Sequence, residues 1–241
     1  MAKLHARFGD CPIPSERGHS AYEALFRAIV FQQLSGKAAG TILRRVLALF
    51  DLEILGDIVP FPSPQAFLLM DDEALRGAGL SWNKIRAIKD LSQKKIEGIV
   101  PDNDEVTHLA DAEIIERLVS VRGVGPWTVQ MYLIFTLGRE DIWPIDDLGV
   151  QKGFQHAYGL EALPKPKELA GMAEHLRPFR SYAAWYCWRV CDELKPSKNE
   201  VLGQAKKPSK NEVLGQAKKP QKAAKVDKPK PKTKKMRVTD K

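Results

Sequence analysis

The chain has 241 residues, of which 44% are hydrophobic, so it is long enough for one large or two small domains with a buried core. Its formal net charge of +8 is unevenly spread: residues 195–241 hold 15 Lys, 1 Arg and 4 acidic residues, a net +12, which leaves −4 on residues 1–194. Three cysteines are too few for a disulfide framework, no apolar run is long enough for a membrane helix, and the N-terminus lacks a signal-peptide pattern. We therefore expect no membrane association and no secretion, but a location in the cytoplasm or nucleoid of a bacterium or in the nucleus of a eukaryote.

Apolar residues at helical spacing recur along the first 194 residues, and sustained alternation typical of strands is absent. Ser20, Ser63, Ser81 and either Asp71 or Asp72 stand at positions that favour N-caps, and Glu23 completes a capping-box pattern with Ser20. Residues 1–19 and 101–105 are expected to be irregular. The pattern predicts about nine or ten helices, including 21–34, 37–50, 82–97, 111–119, 148–157, 167–176 and 181–194. The sequence thus indicates an all-α body.

Two adjacent amides, Gln32 and Gln33, stand at the end of the otherwise apolar first predicted helix. They are either a solvated helix end or a pair of side chains directed at a ligand. The last predicted helix is dense in aromatic residues, and we interpret this stripe as core.

A glycine-containing hairpin, VRGVGPWT at residues 121–128, lies between two predicted helices. Its glycines allow positive φ and leave backbone N–H groups exposed at a helix N-terminus, which favours a phosphate. Two aspartates, Asp146 and Asp147, follow about 20 residues later, far enough for one helix and a return loop. A phosphate-binding hairpin near a carboxylate suggests chemistry on nucleic acid. From the residues alone either aspartate is a candidate, and an N-cap for the helix beginning at Leu148 is a further role.

The tail differs in kind from the body. Residues 195–206, KPSKNEVLGQAK, are repeated without change at 207–218, and Lys, Pro, Ala and Gln make up most of residues 219–241. This composition cannot bury a core, so we expect disorder. The tail is either a basic arm that adds salt-sensitive, non-specific DNA affinity or a solubilising extension.

Residues 121–128, together with Pro144-Ile145-Asp146-Asp147, resemble the helix-hairpin-helix and the catalytic-aspartate loop of the base-excision DNA glycosylase superfamily. Three more segments, at 26–35, 79–88 and 176–184, resemble the 3-methyladenine DNA glycosylase II branch, which acts on alkylated purines. The matches span about residues 20–194 in the family's order. The resemblance implies a two-lobed helical fold over residues 1–194. A six-helix barrel would occupy about 21–140, and the second lobe would comprise 1–20 and 141–194.

The resemblance implies Asp147 as the catalytic carboxylate and a cleft between the lobes as the base pocket. We assign five residues to the substrate pocket: Trp127, Phe179, Gln32, Leu148 and Met131. We assign six to DNA binding: Gly123, Gly125, Thr128, Gln33, Leu34 and Trp82. Gln33 is the first candidate for the wedge, the side chain that fills the gap left by a flipped nucleotide, and Leu34 is the next. Leu80 or Trp82 would enter from the opposite loop.

Departures from the family pattern narrow the expected activity. Bifunctional relatives place a Lys where this chain has Trp127, so the resemblance implies a monofunctional enzyme. Cys187 and Cys191 cannot supply the four cysteines of an iron–sulfur cluster, so we expect no cluster. The hairpin carbonyls near Val121 and Gly123 would hold at most a Na⁺ or K⁺ ion, and no other cofactor is expected.

The expected function is therefore excision of alkylated purines such as 3-methyladenine from double-stranded DNA by a monomeric DNA glycosylase. One alternative is a glycosylase for another damaged purine such as hypoxanthine. The other is a non-catalytic DNA-binding protein that kept the hairpin.

Overall fold

A computed structural model describes residues 1–13, 19–50, 52 and 60–194. The predicted disordered tail lies outside these residues. Within them the secondary structure is helical, without a strand, as predicted. The first six helices are α1 (Ala2–Phe8), α2 (Ala21–Phe31), α3 (Gly36–Leu47), α4 (Pro64–Leu69), α5 (Asp72–Gly77) and α6 (Trp82–Ile96). The next six are α7 (Asn103–His108), α8 (Asp111–Val119), α9 (Pro126–Phe135), α10 (Leu148–Tyr158), α11 (Pro166–Met172) and α12 (Arg180–Glu193).

The predicted caps start four of these helices. The side chains of Ser20, Ser63, Asp71 and Ser81 accept hydrogen bonds from backbone N–H groups three residues ahead, and the choice between Asp71 and Asp72 falls on Asp71. These bonds satisfy amides that have no partner within the helix. Of the predicted capping box, the structure shows the bond to the Ser20 side chain, whereas the Glu23 carboxylate bonds to the ring of His19.

Other predicted boundaries were wrong. The expected irregular segment 1–19 contains α1, and α7 begins within the expected loop 101–105, so the described residues hold twelve α-helices rather than nine or ten. None of the residues of α1 is buried, so its sequence has no amphipathic pattern from which the helix could be predicted. It lies against α12, where the Tyr186 hydroxyl donates to the Gly9 carbonyl at 2.9 Å. The predicted helix 167–176 divides into α11 and a 3₁₀ turn, Glu174–Leu176.

The buried side chains form two hydrophobic clusters. The first lies among α2 to α9 and includes Phe26, Phe67, Ile88 and Leu133. The second lies among α10, α11 and α12 and includes Phe154 and Leu169, with Trp143 from the preceding loop. Residues 136–147, which contain the aspartate pair, connect the helices of the first cluster to those of the second.

A glycine permits a close contact between α10 and α12 in the second cluster. A Cβ added to Gly153 of α10 would lie 2.0 Å from the backbone oxygen of Cys187 on α12. Any larger side chain would force the two helices apart. The close crossing brings α12 alongside the start of α10, where Asp147 is the N-cap.

Candidate active site

The hairpin is a tight turn between α8 and α9. Gly123 has φ +76°, a conformation that favours glycine, and the flanking Val121 and Val124 are buried. The helix α9 begins at Pro126 with Gly125 as its N-cap, and no side chain caps its first amides. This arrangement leaves N–H groups at the positive end of a helix dipole, which is suited to a phosphate.

The carboxylate of Asp90 on α6 holds the hairpin in place. The Arg122 backbone N–H donates to Asp90 at 2.7 Å, and Lys94 donates both to Asp90 and to the Ser120 carbonyl. Burial acts to raise the pKa of Asp90, but the hydrogen bonds and positive charges of Lys94 and Arg122 outweigh it and lower that pKa. The hairpin is therefore attached to α6 by an ionised group as well as by its buried valines.

Asp147 is held by three N–H donors from three different helices. Its Oδ1 accepts from the Val150 backbone at 2.8 Å and from the Trp188 indole at 2.9 Å. Its Oδ2 accepts from the Trp127 indole at 2.7 Å. The first bond is the N-cap of α10, so the capping and carboxylate roles coexist in one side chain. Asp146, by contrast, is exposed.

Two cavities flank an aromatic ridge on α9. The ridge consists of Trp127, Met131 and Phe135, which are spaced four residues apart on one helix face. The first, which we call the α2–α9 cavity, has a volume of about 660 Å³. The second, the aspartate cavity, has a volume of about 320 Å³. Both volumes fall in the range of small-molecule sites.

The two cavities bring together much of the predicted site. The α2–α9 cavity is lined by Trp127, Met131, Thr128, Gln32 and Gln33 of the predicted set, together with apolar residues of both helices. The aspartate cavity is lined by Asp147, Trp127 and Met131 of that set, together with Phe135 and four residues of α12. Trp127 thus faces a roomy cavity while its indole N–H is bonded to the carboxylate.

Two predicted pocket residues line neither cavity. Phe179 is 55% exposed and its ring packs edge-on against Tyr182. Leu148, the first residue of α10, is 53% exposed beside Asp147. The structure does not bring either side chain to the aromatic ridge.

The loop after α2 is joined to the hairpin. The Gln32 side chain donates to the Gly123 carbonyl at 3.0 Å, and Lys84 donates to the Val30 and Gln32 carbonyls at 2.7 and 2.9 Å. Burial lowers the pKa of Lys84. These bonds support Gln33, whose φ of +58° is unusual for a residue other than glycine.

The wedge candidates differ in exposure. Gln33, Leu34 and Trp82 are exposed, with Leu34 and Trp82 at 40% and 43%. Leu80 is completely buried, so its candidacy was wrong: the side chain belongs to the first hydrophobic cluster. Gln33 was predicted to lie in a helix over residues 21–34, but its positive φ takes the backbone out of the helix.

Neither cysteine chemistry nor a carboxylate cluster marks a metal site in the described part of the chain. No group of three His, Cys, Asp or Glu residues there could hold a metal ion. Cys187 is buried, which raises the pKa of its thiol to about 12. The two carbonyl oxygens near the expected monovalent cation each accept one hydrogen bond, Val121 from Val124 and Gly123 from Gln32. Each carbonyl retains a second lone pair, so these oxygens fit a weakly bound cation.

Sequence reasoning missed the contribution of α12. Trp185 and Trp188 line the aspartate cavity, and Trp188 bonds to Asp147, although the aromatic stripe was interpreted as core. A signal was present in Gly149 and Gly153, which stand four residues apart on α10. Small residues at that spacing indicate a helix face that another helix approaches closely.

The fold and site define a helix-hairpin-helix protein in which the helix that follows the hairpin carries an aromatic ridge beside a fixed carboxylate. Residues 26–178 match the HhH-GPD superfamily of base excision DNA repair proteins, and the chain belongs to this family. No helix among the described residues is long and apolar enough to cross a membrane.

Individual relatives agree with this assignment. A DNA-3-methyladenine glycosylase of Schizosaccharomyces pombe is 37% identical over 178 residues, which cover 73% of this chain and 75% of the relative. An alkylbase DNA glycosidase-like protein of the same yeast is 31% identical over 189 residues, covering 78% and 86%. The solved structure of an S. pombe 3-methyladenine DNA glycosylase in complex with abasic DNA superposes with a TM-score of 0.67 at 34% identity, covering 82% of this chain and 93% of that one.

Proposed function

We propose that this protein is a monofunctional DNA glycosylase that flips alkylated purines such as 3-methyladenine out of the duplex and hydrolyses their N-glycosidic bond. Membership in a base excision DNA repair family makes DNA its partner. The observation that carries the proposal is the 2.7 Å hydrogen bond between the Trp127 indole and Asp147. It joins an aromatic surface for the base to a carboxylate for the sugar in a single unit.

The chemistry follows from the charge of the substrate. Alkylation at a ring nitrogen makes the purine cationic, so it leaves readily and needs little help from a general acid. The Trp127 face, half exposed in the α2–α9 cavity, can bind such a cation with about 0.5–2 kcal/mol. As the glycosidic bond breaks, positive charge develops on the sugar, where Asp147 stabilises it and orients the attacking water.

The same residue supports hydrolysis rather than strand cleavage. A bifunctional glycosylase needs a primary amine to form a Schiff base with the sugar. The chain has an indole at that position, and its N–H is engaged by Asp147. Water is therefore the nucleophile, and the product is an intact strand with an abasic site.

The test uses duplex DNA that contains either methylated adenine or hypoxanthine. Free base is quantified by chromatography, and strand breaks and borohydride-trapped protein–DNA adducts are scored in the same samples. The proposal expects released methylated base, intact strands and no trapped adduct. Strand breaks with a trapped adduct would refute the monofunctional mechanism, and DNA binding without any base release would favour the non-catalytic alternative.

One observation favours hypoxanthine as a second substrate. Arg27 lines the α2–α9 cavity, its guanidinium lies 4.8 Å from the centroid of Phe61, and its buried Nε has no hydrogen-bond partner among the described residues. A guanidinium beside the pocket can donate to the ring and carbonyl acceptors of a neutral purine. If Arg27→Met lowers the ratio of released hypoxanthine to released methylated adenine below that of the wild type, this second activity is supported. An unchanged ratio would refute it.

Further expectations belong to this proposal. The protein acts as a monomer and works in the cytoplasm or nucleoid of a bacterium or in the nucleus of a eukaryote, and any Na⁺ or K⁺ ion that it binds lies at the hairpin carbonyls. Iron–sulfur chemistry has no part in the reaction. The basic tail adds salt-sensitive DNA affinity, which a truncation after Leu194 would reduce most at low salt.

A further inference from the structure

We propose that Trp188 is a positioning residue that fixes the orientation of the Asp147 carboxylate during base excision; this inference rests on the function proposed above. Trp188 is partly buried on α12, and its indole N–H donates to Asp147 Oδ1 at 2.9 Å. Its ring packs against Phe135 of α9, with ring centroids 5.6 Å apart. The indole contacts both hydrophobic clusters, so its place is set by the packing of both parts of the body.

The backbone of α10 is shaped to admit this hydrogen bond. A Cβ added to Gly149 would lie 2.9 Å from Trp188 Cδ1 and 3.0 Å from Asp147 Oδ1, so a side chain there would press on both partners. One turn later, Gly153 lets α12 approach α10 closely. Two glycines on one helix face therefore provide the space in which Trp188 reaches the carboxylate.

The donors divide unequally between the two carboxylate oxygens. Oδ1 accepts two N–H groups, from Val150 and Trp188, which occupy both of its in-plane lone pairs. Among the described residues, Oδ2 accepts only the Trp127 indole. Oδ2 therefore keeps a lone pair with which it can face the positive charge that develops on the sugar in the proposed reaction.

Trp127 and Trp188 have different roles because their surroundings differ. Trp127 is half exposed in the wall of the cavity, so its ring face is open to a stacking base. Trp188 is held between α9 and α10 and does not line the α2–α9 cavity. Since the last torsion of an aspartate is broad, a carboxylate with fewer donors rotates. Trp188 keeps Oδ1 in place while Trp127 contacts the substrate.

The test compares two Trp→Phe substitutions. Trp188→Phe keeps an aromatic ring but removes the donor to Asp147. Trp143→Phe is the matched control: its buried indole also donates one hydrogen bond, but to the Leu169 carbonyl at 3.2 Å and not to Asp147. Incorporation of 3-benzothienylalanine at position 188, which replaces the N–H by sulfur in a ring of nearly the same shape, separates loss of the donor from loss of packing.

The readouts are the single-turnover rate of base release at saturating enzyme and the enzyme concentration that gives half-maximal rate. We expect both changes at position 188 to reduce the rate by about 10- to 100-fold, with the half-saturating concentration unchanged, because a misplaced catalytic group slows chemistry without weakening binding. Trp143→Phe should lower thermal stability but leave the rate unchanged.

Equal rates for the position-188 variants and the Trp143→Phe control would overturn the positioning role. So would a fall in rate with Trp188→Phe that the benzothienyl side chain restores, because the effect would then be one of packing. Absence of base release by the wild-type protein would instead overturn the proposed function, and the positioning role with it.

Discussion

Replacing Asp147 by asparagine removes the charge that the proposed mechanism requires while it preserves the size of the side chain. The amide oxygen of asparagine can take the place of Oδ1, where two N–H donors converge, and so keep the bonds to Val150 and Trp188. The amide nitrogen then faces the Trp127 indole N–H across the position of a 2.7 Å hydrogen bond. Two donors cannot bond to each other, so Trp127 loses its anchor.

The size of the effect can be estimated from the lost charge. A carboxylate about 4 Å from a developing unit charge contributes about 4 kcal/mol at an effective dielectric constant of about 20. Since about 1.4 kcal/mol corresponds to a tenfold change in rate, the loss is roughly 10³-fold. Loss of a single stabilising group in other enzymes costs about 10²–10³-fold, in agreement with this estimate.

The assay is single-turnover release of methylated base, with Asp146→Asn as the control. Asp146 is the adjacent carboxylate and is exposed, so its substitution changes the net charge equally. We expect Asp146→Asn to release base at the wild-type rate and Asp147→Asn to be slowed about 10³-fold with DNA affinity retained. If Asp147→Asn kept more than about a tenth of the wild-type rate, the electrostatic reasoning would be refuted.

The packing around the site leads to three stability predictions. Gly153→Ala should lower the free energy of unfolding by about 1–3 kcal/mol in denaturant titrations, because its Cβ meets the backbone of α12, whereas Gly171→Ala, with open space around it, should not. Asp141→Asn should cost about 1–3 kcal/mol at pH 7, because the largely buried Arg180 loses the nearer of its two carboxylate partners, Asp141 and Glu174. Although burial acts to raise the pKa of Asp141, its arginine partners lower it, so the ionised group stabilises the fold above about pH 4. The difference in unfolding free energy between Asp141→Asn and the wild type should therefore disappear as the pH falls below that value. Lys84→Met should lower the free energy of unfolding by about 1–3 kcal/mol and weaken DNA binding, because the carbonyls at the end of α2 lose their donor. If the variant bound DNA with wild-type affinity, the loop after α2 would have no part in DNA recognition.

The local features of this protein could be predicted from its sequence. Helix starts depended on serine and aspartate caps and on apolar spacing, both of which involve residues within one or two turns. The hairpin was predictable because glycines tolerate positive φ, and Gly123 has it. The aspartate pair stood after a recognisable turn; the residues alone left both carboxylates as candidates, and the family resemblance implied Asp147. Helix α1 escaped prediction because none of its residues is buried and it lies against α12, where the bond from Tyr186 to Gly9 joins residues 177 apart.

The contacts that complete the site were decided by tertiary packing. The bond from Trp188 to Asp147 joins residues 41 apart in the chain, and the bond from Gln32 to Gly123 joins residues 91 apart. Phe179 and Leu148, assigned to the pocket by sequence, lie outside both cavities, while Phe135 lies in both. A sequence pattern identifies the face of a helix that is buried, but the crossing angle and separation of two helices decide which side chains on those faces meet. The sequence by itself therefore determined the helical body, the glycine hairpin and the position of the aspartate pair, and the close crossing of α10 and α12 decided how Asp147 is held.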